Sequence, residues 1–150
     1  MTRYLEDYSV GEVTRWGEVT VTAEDVVAYA RQFDPQPFHL DHEAAQKTLF
    51  GGLAASGWHT AGLTMRLLTS MPERPANGFI GLGVEDLRWP TPTRPGDCLR
   101  IENEILEVRI SQSKPETGIL SVRTTTLNQD GKPVQIMTSK LLVARRPAQT

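Results

Sequence analysis

Apolar and polar residues alternate through the second half of the chain, whereas the first half carries apolar residues at helical spacing. The alternation has a period of two and predicts four long strands separated by segments of turn-forming residues. These strands are expected at Phe79–Trp89, Cys98–Ile110, Gly118–Asn128 and Val134–Ala144. Because the connections are short, neighbouring strands are expected to pair antiparallel. Alternation at Val13–Thr22 predicts one more strand near the amino terminus.

Apolar residues spaced three and four positions apart predict a first helix. The helix is expected to end at Asp34, because each of the two prolines that follow disfavours helical geometry in the residue before it. Thr22 and Asp25 form a T-x-x-D sequence, which is typical of a helix start. A short helix is expected at about His42–Thr48, with Asp41 as its N-cap. The apolar face of the first helix is formed by Val26, Tyr29, Ala30 and Phe33.

The segment from Leu53 to Ser70 contains one charged residue, Arg66, and no proline. Apolar and small residues occupy every side of the helix that it predicts, and a helix that is apolar all round is buried. A buried helix and an antiparallel sheet of about five strands pack most simply when the sheet curls around the helix. The pattern therefore predicts an α+β chain with the hot-dog fold, as a single domain over residues 1–150.

Composition excludes several classes of function. The net charge is −2 and no basic tract is present, so a nucleic-acid-binding surface is not expected. The single cysteine, Cys98, excludes an internal disulfide and a multi-cysteine metal site, and the three histidines form no second ligand cluster, so no metal is expected. The longest uncharged run, Phe50–Met65, is too short to span a bilayer. No signal sequence is apparent, and a cytoplasmic location is expected.

The segment from Phe33 to Asp41 is the densest group of polar and aromatic residues. Two prolines restrict the backbone between Asp34 and His39, so this loop is expected to hold both side chains firmly. A carboxylate and an imidazole presented together can bind one water molecule and move its protons. Taken alone, the pair fits better with a structural alternative, in which Asp34 caps a turn and His39 is a packing residue with its hydrogen bonds satisfied.

A second candidate feature is the amino end of the long helix, at Ser56-Gly57. Backbone N–H groups there have no partners within the helix, and the helix dipole is positive. Gly57 would let a ligand approach the backbone, so that a thioester carbonyl could be polarised. The alternative is close packing of the helix on the sheet, with Ser56 as the N-cap. Trp58 is expected to shape the substrate pocket, and His59 to be a buried ring without a direct role.

These residues, taken together, resemble the signature of the MaoC-like dehydratases, a family that includes (R)-specific enoyl-CoA hydratases. The resemblance rests on Asp34-x-x-Pro37-x-His39-x-Asp41, followed by Phe50-Gly51-Gly52 and Ser56-Gly57. Residues 87–97 are similar to the family's strand and turn before its longest hairpin. The resemblance extends over nearly the whole chain.

The resemblance implies a hydratase or dehydratase that adds water to a 2-enoyl-CoA, or removes it from a 3-hydroxyacyl-CoA. Asp34 and His39 would hold and activate the water, and the Gly57 N–H would bind the thioester oxygen. Coenzyme A would be part of the substrate, and no cofactor is expected. The family also implies a homodimer, with the possibility of a higher oligomer left open.

Two positions depart from the family pattern. Gln36 stands where many members have asparagine, and Ser56 where many have histidine. Both residues are expected to line the substrate site, and both changes indicate a different acyl preference. Two alternatives remain open: a hot-dog thioesterase in which Asp34 activates water against the carbonyl, and an acyl-CoA-binding subunit without turnover. The sequence also leaves open the acyl length, the direction of reaction and whether the carrier is coenzyme A or acyl carrier protein.

Overall fold

The computed structural model describes residues 1–149 and has helices in its first half and long strands in its second. A short strand and a 3₁₀ turn precede the first long strand. The helices are α1 (Ala23–Phe33), α2 (Pro37–Leu40), α3 (His42–Ala45) and α4 (Gly57–Thr69). The strands are β1 (Thr2–Arg3), β2 (Val13–Thr20), β3 (Arg74–Pro75), β4 (Ile80–Arg88), β5 (Cys98–Ile110), β6 (Thr117–Leu127) and β7 (Pro133–Ala144).

Five strands form one antiparallel sheet in the order β2-β5-β6-β7-β4. The middle of the sheet consists of two successive hairpins, β5-β6 and β6-β7, as the short connections predicted. The strand predictions are confirmed, with β5 at its expected bounds and β4, β6 and β7 displaced by one residue at their ends. Strand β2 ends at Thr20, two residues earlier than expected. The two-residue strands β1 and β3 pair in parallel and were not predicted.

The sheet curves around α4, which confirms the predicted α+β hot-dog fold. Leu67 and Leu68 of α4 pack in the main core against buried strand residues such as Leu99 and Ile101. A second core cluster surrounds Leu5 of the 3₁₀ turn. The central helix is therefore held from the concave side of the sheet by apolar packing. No helix in residues 1–149 has the length and apolar character needed to cross a membrane.

The central helix differs from its prediction in two respects. It begins at Gly57 rather than at Leu53, because the buried segment before it is extended and hydrogen-bonds to other loops, including Ala55 N–H to the Thr93 carbonyl at 2.8 Å. The expectation that every side of the helix is buried is wrong for the single chain. Trp58 is 58% exposed and Met65 41% exposed. Apolar composition shows that a face avoids water, but it does not show what covers the face.

The helix starts were largely predicted. The Thr22 hydroxyl accepts a hydrogen bond from the Asp25 N–H at 3.1 Å, so the first helix is capped as expected. The Asp41 carboxylate accepts from the Glu43 N–H at 3.0 Å and caps α3, which is shorter than expected because Gln46–Thr48 form turns. The single turn of α2, which begins with Pro37 in the first helical position, was not predicted.

Candidate active site

A rigid loop between α1 and α3 presents Asp34 and His39. Helix α1 ends at Phe33, and Asp34 leaves helical geometry because Pro35 follows it. Pro37 then starts α2, where a missing backbone N–H costs nothing, and His39 lies within that single turn. The two prolines therefore fix the backbone on both sides of Gln36, as the sequence indicated.

His39 is a buried ring, only 5% exposed, and each of its two nitrogens lies close to an oxygen atom. Its Nδ1 lies 2.6 Å from the Ala54 carbonyl oxygen. Because a carbonyl oxygen only accepts hydrogen bonds, Nδ1 must carry the hydrogen, which leaves a lone pair on Nε2 in the neutral ring. That Nε2 lies 3.3 Å from Asp34 Oδ2. The structure thus brings the two predicted residues together and orients the imidazole through the backbone.

Asp34 is held as a carboxylate by its neighbours. Its Oδ1 accepts a hydrogen bond from the Gln36 amide at 2.5 Å. Burial raises the pKa of Asp34, but contacts with the Ser56 hydroxyl, the Gln36 amide and the His39 ring outweigh burial and hold this pKa below its ordinary value of 3.8. The carboxylate is therefore ionised at neutral pH. Gln36 and Ser56 contact Asp34 rather than an open pocket.

When the His39 ring is neutral with its hydrogen on Nδ1, the pair consists of two acceptors that face each other. A carboxylate oxygen and an unprotonated Nε2 cannot hydrogen-bond directly, because neither has a hydrogen to donate. A water molecule can satisfy both by donating one hydrogen to each. Protonation of His39 would instead produce an ion pair with Asp34. Asp34 and His39 can thus bind one water molecule or take up one proton.

The amino end of α4 lies beside this pair. Ser56 is the N-cap, and its Oγ accepts from the Trp58 N–H at 3.3 Å, while its hydroxyl also contacts Asp34. Within residues 1–149 the Gly57 N–H donates to no acceptor. A free amide at the positive end of a 13-residue helix can bind a negatively charged oxygen. The prediction of Ser56 as the cap is confirmed.

Gly57 also has a packing reason to be glycine. A Cβ atom built there would lie 2.5–2.8 Å from three atoms of the Trp89 indole, well inside contact distance. The indole is fixed by a hydrogen bond of 2.9 Å from its Nε1 to Gln135 Oε1. Both interpretations of Gly57 thus agree with the structure, because close packing with Trp89 coexists with an unpaired amide.

A pocket of about 270 Å³ lies between His39 and the start of α4. Its wall includes His39 and Gly57 but not the Asp34 carboxylate, whose side chain is more exposed, at 20% against 6% for His39. The full lining is His39, Phe50, Ala55, Gly57, Thr60, Trp89, Thr91, Pro92, Thr93 and Val134.

Trp58 and His59, whose roles were also predicted from the sequence, lie outside this pocket. Trp58 lines a separate groove rather than this pocket, and its ring meets Trp89 edge to face at 5.2 Å, so its expected role at the substrate stays a prediction. His59 is buried against α1 and stacks on Tyr29 at 4.9 Å. Its Nδ1 has no hydrogen-bond partner within residues 1–149. Burial lowers the pKa of His59 despite the opposing charge of Asp25.

Two pocket-shaping residues were missed by sequence reasoning. Trp89 lines the pocket, and Arg94 holds the loop before α4 by donating from Nη1 to the Gly52 carbonyl at 2.9 Å and from Nη2 to the Phe50 carbonyl. Both belong to the segment 87–97 that the resemblance singled out. Their partners are distant in sequence, so only that segment's similarity to the family could have marked them. Among residues 1–149 no group of three or more His, Cys, Asp or Glu side chains is placed to hold a metal.

Comparisons with known proteins show the family of the chain. The model of the MaoC-like domain family matches residues 9–128, which include the Asp34–His39 loop and the start of α4. The chain belongs to the MaoC-like domain family. The solved MaoC-like dehydratase from Rhodospirillum rubrum superposes with a TM-score of 0.92 at 51% identity, covering 97% of this chain and 99% of that one.

Two further proteins are similar in sequence. The Bacillus subtilis protein YdeM is 30% identical over 93% of this chain and 96% of its own length, and is described as uncharacterized. A 3-hydroxybutyryl-CoA dehydratase from Methylorubrum extorquens is 32% identical over 70% of this chain and 65% of its own length. The match thus spans just under two thirds of that dehydratase. Hydratases and dehydratases of this family support a hydratase or dehydratase here.

Proposed function

We propose that this protein interconverts a 2-enoyl-CoA thioester and water with the corresponding 3-hydroxyacyl-CoA. The observation that supports this most strongly is the pair of acceptors, Asp34 and His39 Nε2, set 3.3 Å apart beside a helix end whose Gly57 amide is unpaired. The relative named 3-hydroxybutyryl-CoA dehydratase supports the same reaction class. No cofactor is required beyond the coenzyme A that the substrate carries.

In the hydration direction, the pair would hold the attacking water and move its proton. The water donates one hydrogen to each acceptor, which leaves an oxygen lone pair free to attack C3 of the enoyl group. As the new C3–O bond forms, one proton passes from the water to the pair. The π electrons of the double bond shift toward the thioester, and the pair then returns a proton to C2. One water molecule is consumed and no group leaves.

The amino end of α4 would stabilise the charge that develops during this step. Negative charge accumulates on the thioester oxygen as the enolate forms, and the Gly57 N–H is the free donor placed to bind it. The helix dipole adds a partial positive charge at the same position. Donors of this kind contribute more in the transition state than in the ground state, so they accelerate the chemistry.

A thioesterase is the second enzyme to consider. It would need one base to activate water against the carbonyl carbon, and Asp34 alone could serve. The chain instead orients His39 through the Ala54 carbonyl and leaves its Nε2 facing the carboxylate. A second, precisely oriented proton acceptor favours addition at C3, where one proton must be taken up and then returned. The same intact pair argues against an acyl-CoA-binding subunit without turnover.

A direct assay separates these three functions. The protein is mixed with crotonyl-CoA while the conjugated enoyl absorbance and free thiol are followed together. The proposal expects the absorbance to fall without thiol release. Thiol release at the same rate would identify a thioesterase, and no change with thioesters of several lengths would identify a binding protein; either result overturns the proposal.

We also propose that two copies associate along β4 and the exposed face of α4. Strand β4 is a sheet edge, and its Ile80, Leu82 and Val84 are 42–54% exposed. The opposite edge, β2, carries Arg15 and Glu18 and a register shift, features that discourage pairing. The β4 edge also has a register shift, between Gly81 and Gly83, but residues 80–84 carry no charge, so a second copy is the natural cover.

A further inference from the structure

Trp89 forms one wall of the pocket beside His39. Trp89 directly follows β4. Its ring lies so close to Gly57 that any residue larger than glycine at position 57 would collide with it. The wall continues through Thr91, Pro92 and Thr93, the last of which is buried. The indole is therefore the largest side chain on that side of the pocket and the one whose size most affects the space available.

A buried polar network holds the indole in place. Its Nε1 donates to Gln135, which is fully buried, and the Gln135 amide donates to Thr64 Oγ1 at 3.3 Å. Thr64 pairs in turn with Thr126 at 2.7 Å. Buried polar groups are costly to leave without partners, so rotating the indole out of the pocket would break a bond that stabilises it. The Trp89 indole therefore keeps one orientation in the pocket wall.

The size of the pocket limits the acyl group that can enter. At about 30 Å³ per heavy atom, a volume of about 270 Å³ accommodates about nine heavy atoms. The thioester sulfur, the carbonyl oxygen, C1 to C3 and the added water account for about six of them. About three further carbons remain, which corresponds to an acyl group of about six carbons in all.

We propose that Trp89 sets the upper limit of acyl length and confines the protein to acyl groups of about four to six carbons. The inference rests on the proposed function, since it assumes that the pocket beside His39 receives the acyl group. Trp89 acts here as a specificity-determining residue. It contacts the acyl chain but takes no part in proton transfer.

The test compares Trp89→Ala with the wild-type protein on 2-enoyl-CoA thioesters of four, six, eight and ten carbons. In the wild type we expect kcat/KM to fall at least about tenfold between the six- and ten-carbon substrates. In the variant we expect the ten-carbon to four-carbon ratio of kcat/KM to rise at least about tenfold, because the truncated side chain opens the wall. An unchanged ratio would overturn the proposal.

Trp16→Ala is the matched control. Trp16 is 37% exposed against 39% for Trp89, and its Nε1 also makes one side-chain hydrogen bond of 2.9 Å, to Ser70. It lies on β2, outside the pocket, so the chain-length ratio should not change. If Trp89→Ala does not fold, Trp89→Leu provides a smaller wall with more of the packing retained, and its ratio should move in the same direction. A wild-type protein that hydrates ten-carbon substrates as well as four-carbon ones would also contradict the proposal.

Calorimetric binding of saturated acyl-CoA thioesters distinguishes failure of this inference from failure of the proposed function. Saturated thioesters cannot be hydrated, so their affinities report pocket size whether or not turnover occurs. Butyryl-CoA should bind the wild type more tightly than decanoyl-CoA, and Trp89→Ala should reduce or reverse that preference. Equal affinities in both proteins would refute the role of Trp89 even if crotonyl-CoA is hydrated.

Discussion

The pocket beside His39 and the groove between α4 and β4 lie on either side of the start of α4. They differ in size and in the side chains that line them. The pocket of about 270 Å³ is lined by His39, whose ring contacts the Asp34 carboxylate, and by Trp89, whose indole is fixed by a hydrogen bond. The groove between α4 and β4 is larger, at about 500 Å³, and is lined mostly by apolar side chains, including Leu82 and Val84. The Trp58–Trp89 contact lies between them.

This difference separates a part of the molecule held by specific polar contacts from a part that exposes apolar surface. Gln36, the Ala54 carbonyl and Ser56 all contact the Asp34–His39 pair. The groove, in contrast, exposes apolar side chains along a sheet edge, which is unfavourable in water. A chain with such an uncovered groove is expected to associate with a second copy of itself.

The largest effect is expected from removing the acid–base pair. Asp34→Asn and His39→Ala should each lower kcat for crotonyl-CoA hydration by about 10²–10⁴-fold, because each removes one of the two groups that can take up a proton from the water. Thermal unfolding should remain cooperative in both variants. Asp41→Asn, the same chemical change at a helix cap where asparagine serves equally well, should keep most of the activity. Near-normal rates in either pair variant would refute the assignment.

The second-largest effect is expected on the association of two copies, when a charge is placed in the groove between α4 and β4. Val84→Lys places a charge on the β4 edge and should shift the protein from dimer to monomer, because a buried unpaired charge is costly at an interface. Light scattering at several concentrations measures the change. Val10→Lys is the control, since Val10 is 66% exposed in a turn away from the groove. A wild type that is monomeric at all concentrations would contradict the proposed association.

Gly57→Ala tests the packing that separates pocket and groove. The added Cβ collides with the Trp89 indole, so we expect a loss of about 1–3 kcal/mol in the free energy of unfolding and reduced activity. Gly62→Ala in the same helix meets no atom within 4 Å and should stabilise by about 0.5–1 kcal/mol. The double variant Gly57→Ala, Trp89→Ala should recover part of the loss. Equal stability of Gly57→Ala and wild type would show that the indole moves freely.

The smallest effect is a pH dependence of stability through His59. Burial lowers the pKa of His59 below 6.5, so the folded state takes up its proton less readily than the unfolded chain. Between the lowered pKa and about pH 6.5 the unfolded chain binds more protons, and stability therefore rises with pH and is lost on acidification. In His59→Phe, urea midpoints at about pH 5 and pH 7 should differ less than in the wild type. An equal difference in both proteins would exclude His59 as the cause.

The sequence predicted the site better than its surroundings, for a physical reason. Asp34 and His39 are joined by a proline-restricted loop, so their proximity follows from local geometry. The strands were likewise visible because alternation is local. Trp89 and Gln135 were missed because their contacts with Gly57 and Thr64 depend on how distant segments pack. The exposed face of α4 was missed because a partner's surface is not encoded in one helix's composition.

The central claim is that Asp34 and His39 add water across a conjugated double bond while the thioester stays intact. NMR of the product formed from crotonyl-CoA in D₂O tests this most directly. We predict 3-hydroxybutyryl-CoA carrying a single deuterium at C2, formed by the wild type and reduced by about 10²–10⁴-fold in Asp34→Asn. Crotonate released as free acid, or undiminished product in that variant, would contradict the claim.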